Sequence, residues 1–157
     1  TALIAALKRA GAKITSVKNG IRVKAAGRPK AVSVTTQPHP GFPTDVQAPY
    51  MAYMASAKGE SRIREAIFER RFLHAAELAR MGARVAVSGD AAFITGVEQL
   101  SGAAVMASDI RAGAGLIVAD LAAKGRTIIG RVYHIDRGYE QIEKVLRNLG
   151  ANIRRLR

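Results

Sequence analysis

The sequence predicts an α/β fold built from repeated βαβαββ units, and three observations carry that expectation. Three segments read alike: Leu7-Lys-Arg-Ala-Gly-Ala-Lys-Ile14, Leu78-Ala-Arg-Met-Gly-Ala-Arg-Val85 and Leu146-Arg-Asn-Leu-Gly-Ala-Asn-Ile153. Their glycines, Gly11, Gly82 and Gly150, lie 71 and 68 residues apart. Each glycine ends an amphipathic stretch, where a left-handed residue closes a helix, and an alternating apolar pattern of a strand follows. The 157 residues are 48% apolar and 24% charged, a globular composition long enough to bury a core. A self-similar unit of about 70 residues exceeds a solenoid repeat and suggests duplicated modules about a pseudo-symmetry axis.

Thr1 runs straight into the first helical pattern, which points to an upstream part of a longer chain. Beyond Gly11 a strand reaches Asn19-Gly20, a type I′ hairpin signal, and returns through Ile21 and Val23. Ala31 to Thr36 reads as a strand, and Gln37 to Pro43 as a rigid loop. Thr44 then opens a helix, with Gln47 three residues on as a capping box and Pro49 disturbing the first turn. A strand through Ser61 to Ile67 leads to the helix ending at Met81, and a second hairpin turns at Ser88-Gly89-Asp90. Ala104 to Ala107 is the next strand, before a helix capped by Ser108 or Asp109 and closed by Gly125. Thr127 to His134 reads as a strand, Asp136 as the cap of the last helix, and the residues after Gly150 as a final strand. Residues 1–30 are thus the end of one repeat, 31–99 a repeat and 100–157 an incomplete one.

Lys and Arg number 25 against 12 acids, a formal charge of +13. The excess sits at the ends: +8 over residues 1–30, −1 over 31–123 and +6 over 124–157. Such ends raise RNA binding as an alternative, because basic side chains that neutralise phosphates release counterions. The absence of Cys excludes a disulfide scaffold, a zinc-thiolate site and a cysteine nucleophile within these residues. No nucleotide-binding glycine loop and no HExxH pattern occurs, so no metal or cofactor is expected. No apolar window suits a membrane span, and a cytoplasmic, soluble protein is expected.

Four strand-to-helix junctions carry ionisable side chains: Asp45; Glu69 with Arg70 and Arg71; Asp109 with Arg111; Asp136 with Arg137. A helix start already attracts anions through unpaired N–H groups. Arg in a first turn opposes that dipole, so Arg111 and Arg137 make an unfavourable choice unless they serve a ligand. Guanidinium forks suit carboxylate or phosphate oxygens. An anion site and surface ion pairs both remain open on spacing alone. His39, His74 and His134 read as structural groups.

At these residues the sequence resembles a known family. His39 to Ala48, Ile67 to His74, Leu100 to Ala112 and Tyr133 to Tyr139 are similar, in order, to motifs of the UDP-N-acetylglucosamine 1-carboxyvinyltransferases, a branch of the enolpyruvyl transferases. The resemblance implies two inside-out α/β barrels of three βαβαββ units each, of which this chain holds about two units of one domain, at the C-terminal side. It implies transfer of the enolpyruvyl group of phosphoenolpyruvate to the 3-hydroxyl of UDP-N-acetylglucosamine, the committed step of peptidoglycan synthesis, with phosphate released. Asp45 then matches the proposed base that meets the sugar hydroxyl. Ile67 and Phe68 match positions holding the uridine, Arg71 and Arg111 arginines gripping the carboxylate, Arg137 one meeting the phosphate, and Asp109 an acid beside the reacting centre. The family's cysteine loop, its Lys-Asn phosphate contact and its second domain lie outside this chain, so the chain alone is expected to be inert. Arg70 stands where the family usually has Asn, and Pro49 where a helix former is usual. The alternative from another class is a basic structural or RNA-associated protein derived from this domain, without catalysis.

Overall fold

A computed structural model describes residues 1–25 and 27–156. In chain order its elements are α1 (Ala2–Arg9), β1 (Lys13–Val17), β2 (Gly20–Lys24), β3 (Val34–Thr35), a 3-10 turn (Thr44–Val46), α2 (Gln47–Ala55) and β4 (Glu60–Arg64). There follow α3 (His74–Arg80), β5 (Arg84–Ser88), β6 (Ala91–Thr95), β7 (Leu100–Ser101), β8 (Ala104–Met106) and α4 (Ile110–Ala122). The last are β9 (Ala123–Lys124), β10 (Ile128–Gly130), α5 (Tyr133–Asp136) and α6 (Ile142–Asn148).

From β3 to β6 the chain runs βαβαββ, the order expected of one unit, and its strands pair as β3-β4-β6-β5. β3 and β4 are parallel, while β6 is antiparallel to both β4 and β5. Further on, β8 pairs β10 and β7 pairs β9, both in parallel. Parallel strands need helical crossovers, and here the crossovers go inside. Met51 and Met54 of α2 and Leu116 of α4 are fully buried, and seven of the thirteen α4 residues lie in the core. The outer faces of the strands meet water: along β4, Ser61 and Ile63 are buried while Glu60, Arg62 and Arg64 are exposed. α2 and α4 press together at Gly115, where a Cβ would lie 3.0 Å from the Ala48 backbone carbon and oxygen. Glycine there is a packing requirement, since any side chain would force the two helices apart. Gly11, Gly82 and Gly150 all have positive φ, near +107°, +86° and +98°, as helix-closing glycines should.

Several local expectations are corrected. Strand β3 covers only Val34 and Thr35, and Thr44 opens a 3-10 turn rather than a capping box, with no side-chain cap bond. The Thr44 hydroxyl is taken by Glu65 instead, at 2.8 Å. Strand β4 ends at Arg64: past Glu65 the backbone leaves the ladder, with the Ala66 N–H donating to Thr36 Oγ1 and the Ile67 and Phe68 N–H groups to the Glu65 carboxylate. The first hairpin turns at Lys18-Asn19, since Val17 pairs Gly20, and neither turn residue has positive φ. Thr127 to His134 is not one strand: β10 ends at Gly130, Arg131 takes φ +56°, and Tyr133 begins α5. Asp136 caps nothing. It sits at the end of α5, where Arg155 Nη1 donates to its Oδ2 at 2.9 Å, and α6 begins after Gln141. Residues 151–156 form no strand, and the end of that expected strand, Arg157, lies outside the described residues.

Candidate anion-binding site

Three loops that follow parallel strands meet at one edge: the one after β3, the one after β4 and the one after β8. That is where open α/β sheets place ligands. Asp45, Arg71 and Arg111, one from each loop, are 26 to 66 residues apart in sequence. Arg111 Nη1 lies 3.3 Å from Asp45 Oδ1, and Arg71 Nη1 lies 3.9 Å from the same oxygen. Arg111 Nε stands 3.5 Å from Asp109 Oδ1. Contacts of this length are loose for guanidinium–carboxylate pairs, and leave N–H donors of both arginines free for another anion.

Asp109 caps α4, accepting from the backbone N–H of Arg111 at 2.8 Å and of Ala112 at 3.1 Å. Partial burial pushes its carboxyl up, but those two N–H groups, the Arg111 guanidinium and His74 together hold it below its ordinary value. A capped helix start thereby becomes the wall of a cleft. The cleft has a volume of about 140 Å³ and opens to solvent, and Thr44, Gln47, Arg70, Arg71, His74 and Arg111 are among its lining residues.

Arg71 is anchored by more than charge. Its guanidinium carbon stands 3.9 Å above the centre of the Phe68 ring, and its Nη1 reaches Thr44 Oγ1 at 3.5 Å. The Arg71 side chain is 19% exposed and that of Asp45 77%, so the cation is held within and the carboxylate stands at the rim. Phe68 itself is exposed, and the Ile67 and Phe68 N–H groups are fixed by Glu65 Oε1 at 3.1 and 3.2 Å.

Asp45, Arg71, Asp109 and Arg111 are therefore brought together, with Ile67 and Phe68 beside them. Arg137 is not part of the cluster. It follows the last residue of α5, exposed, and among the described residues makes no ion pair. Its neighbour Gly138 packs on Ile110, the first residue of α4, so Arg137 lies near that helix start without reaching the cleft. Asp136 is diverted to Arg155, which also reaches Glu143 at 3.4 Å.

Three buried groups here were not among the expected site residues. Glu65 is 4% exposed and receives hydrogen bonds from both Thr36 and Thr44. Its signal was the β4 alternation, which places Ser61, Ile63 and Glu65 on one buried face. Gln47 and His74, set aside as cap and as structural, line the cleft with Nε2 atoms that have no partner. Burial, opposed only in part by the Asp109 charge, pushes the His74 imidazole down to about 4. It is neutral at ordinary pH.

Helices inside, strands outside and an arginine-lined edge make up an α/β architecture that recurs in solved enolpyruvyl transferases. The chain superposes on the enolpyruvyl transferase NikO from Streptomyces tendae with a TM-score of 0.87 at 31% identity, covering 98% of this chain and 36% of that one. It shares its fold with EPSP synthase from Acinetobacter baumannii, TM-score 0.73 at 20% identity, over 99% of this chain and 37% of that one. Residues 1–146 match the family model of EPSP synthase (3-phosphoshikimate 1-carboxyvinyltransferase), and the chain belongs to that family. Among curated relatives it is 56% identical over 156 residues to the UDP-N-acetylglucosamine 1-carboxyvinyltransferase of Anaeromyxobacter sp. (strain K), covering 99% of this chain. It is 57% identical over 152 residues to that of Methylobacterium nodulans, covering 96% of this chain. It spans 37% and 35% of the lengths of those two relatives.

Proposed function

We propose that the chain supplies the carboxylate-gripping side of an enzyme that moves the enolpyruvyl group of phosphoenolpyruvate to the 3-hydroxyl of UDP-N-acetylglucosamine. The observation that carries this reading is the pair Arg71 and Arg111 flanking one oxygen of Asp45, at 3.9 and 3.3 Å. Addition of a hydroxyl to an enol phosphate needs a base at the hydroxyl and cations for a highly anionic substrate pair. Asp45, at the rim, suits the base. Arg71 and Arg111 suit the carboxylate, since each is a fork with donors to spare. In the first step the hydroxyl oxygen bonds to C2 of phosphoenolpyruvate while C3 takes a proton. In the second, the C2–O bond to phosphate breaks, C3 returns the proton, and the vinyl group is restored on the sugar.

Asp109 stands where it can orient Arg111 beside the reacting carbon. Ile67 and Phe68, whose backbone is fixed by Glu65, suit a platform for the uridine. Arg137, near the α4 start but outside the cleft, suits the released phosphate once that segment draws in. No residue of this chain replaces the proton donor or the second wall that the resemblance assigns elsewhere. Such chemistry belongs to peptidoglycan synthesis, and hence to cell-wall growth in the cytoplasm, where nucleotide sugars are made. Among the described residues, no helix is long and apolar enough to cross a membrane.

The test is phosphate release from phosphoenolpyruvate and UDP-N-acetylglucosamine. A full-length protein carrying this segment should release phosphate only when both substrates are present, and the 157-residue chain alone should release none. Release by the isolated chain, or release without the sugar nucleotide, would overturn the reading.

A further inference from the structure

We propose that Glu65 is a positioning residue, setting the hydroxyl of Thr44 so that Thr44 can hold Arg71 in the anion cleft. This rests on the function proposed above. Four donors and no acceptor meet the Glu65 side chain. Thr36 Oγ1 and the N–H groups of Ile67 and Phe68 meet Oε1 at 2.7, 3.1 and 3.2 Å, and Thr44 Oγ1 meets Oε2 at 2.8 Å. That set suits a carboxylate, which only accepts.

The chain from Glu65 to Arg71 has one permitted proton arrangement. Arg71 can only donate, and its Nη1 points at Thr44 Oγ1 from 3.5 Å. Glu65 can only accept. The Thr44 O–H must therefore point to Glu65, which leaves a lone pair facing Arg71. The same logic repeats at Thr36, whose oxygen accepts from Ala66 N–H at 2.8 Å while its hydrogen goes to Glu65. Burial fixes the Glu65 end of this arrangement, where Thr36 is 0% and Glu65 4% exposed; Thr44 is half-buried at the cleft wall, so there the carboxylate and the guanidinium on either side set the hydroxyl.

Replacing the carboxylate by an amide separates the two arms. In Glu65→Gln the amide oxygen can keep the three donors of Oε1. The amide NH₂ then faces Thr44 and donates to it, competing with Arg71 for the hydroxyl oxygen. The arm toward Ile67 and Phe68 is kept and the arm toward Arg71 is lost. A residue that merely held the fold together would affect both.

Two readouts test this. In the 157-residue chain, the Arg71 Nε–Hε resonance, identified by its loss in Arg71→Lys, should shift or broaden in Glu65→Gln and in Thr44→Val. It should stay in place in Thr44→Ser, which keeps the hydroxyl. In the full-length protein, Glu65→Gln should raise KM for phosphoenolpyruvate roughly tenfold, the scale of one lost hydrogen bond to a charged group. KM for UDP-N-acetylglucosamine should stay near its wild-type value. An unmoved Arg71 resonance in both variants, or equal rises in the two KM values, overturns the proposal. If Glu65→Gln fails to fold, the Thr44→Val and Thr44→Ser pair decides by the same criteria. If the wild-type protein turns nothing over, the proposed function fails while the Arg71 resonance still decides the role of Glu65.

Discussion

Removing Arg111 should separate binding from stability more sharply than any other single change. Its Nη1 is 3.3 Å from Asp45 and its Nε 3.5 Å from Asp109, and the side chain is 29% exposed. The pairs themselves contribute little to folding. The Asp45 side chain is 77% exposed and that of Asp109 41%, and pairs so open to solvent are worth at most about 1 kcal/mol. A substrate carboxylate brought to about 4 Å in a closed cleft interacts with a guanidinium by about 4 kcal/mol at an effective dielectric of ~20. Loss of one donor preorganised for a transition-state oxygen costs about 100- to 1,000-fold in turnover. Arg111→Ala should therefore lower kcat/KM of the full-length protein by at least about 100-fold, while the melting temperature of the 157-residue chain falls by only a few degrees. Arg111→Lys keeps the charge but loses the fork and should recover only part of the activity. The assay is phosphate release under saturating sugar nucleotide, beside thermal unfolding of the same variants. Activity within threefold of wild type for Arg111→Ala, or full recovery with lysine, would refute the carboxylate-fork argument.

Three further outcomes follow from the structure. His74 is held neutral near 4 in the folded chain against 6.5 when free; below pH 6.5 the unfolded state binds a proton that the native state refuses. Stability should thus fall as pH drops from about 6.5 to about 4, by roughly 3 kcal/mol at full extent, and His74→Leu should flatten that slope in denaturant titrations. Gly115→Ala places a Cβ 3.0 Å from the Ala48 backbone and should destabilise by about 1–3 kcal/mol in urea unfolding; an unchanged midpoint would mean that the two helices move apart without cost. Any RNA binding should depend steeply on salt and weaken on charge reversal at Lys8, Lys13, Lys24, Arg154 and Arg155, while Arg111→Ala leaves it alone; filter binding across a salt series checks this, and salt-independent binding would refute it.

What the sequence made legible was what local chemistry decides. The cap of α4, open between Ser108 and Asp109 and taken by Asp109, the glycines after α1, α3 and α6 and the turn at Gly89-Asp90 all rest on residues within a few positions of one another. Gly125, by contrast, does not close α4, which ends at Ala122 and runs into β9. Asp45, Arg71 and Arg111 do meet, because parallel strands send their following loops to one edge, but Arg137, which the same junction logic puts with them, stays outside the cleft. Errors gather where a distant partner decides. Thr44 looked like a helix cap, but its hydroxyl is claimed by Glu65, 21 residues on. Asp136 looked like another, but Arg155, 19 residues on, takes its carboxylate. Arg131 breaks the β10 pattern with a left-handed backbone that no glycine announces. The stretch after Gly150 alternates as a strand should, yet a strand exists only beside an edge to bond, and none is offered to it among the described residues. Glu65 escaped notice because a glutamate on a strand usually faces water; two threonines from elsewhere in the chain make its burial tolerable.

The tight crossing of α2 and α4 has a mechanical consequence. Ala48 and Gly115 touch three residues from Asp45 and four from Arg111, so the crossing acts as a fulcrum with a short arm on the cleft side, about 6 Å by helical rise. A ten-degree tilt of one helix against the other would move Arg111 past Asp45 by only about 1 Å. The far arm of α4, from Gly115 to Ala122, is about 10 Å, and the same tilt displaces its end by nearly twice as much. Thermal rocking of the helices is thus spent at the end away from the arginines. The Gln99 bond to the Ala122 carbonyl at 2.8 Å and the pairing of β9 with β7 restrain that longer arm, while the spacing of the charges at the cleft stays geared down.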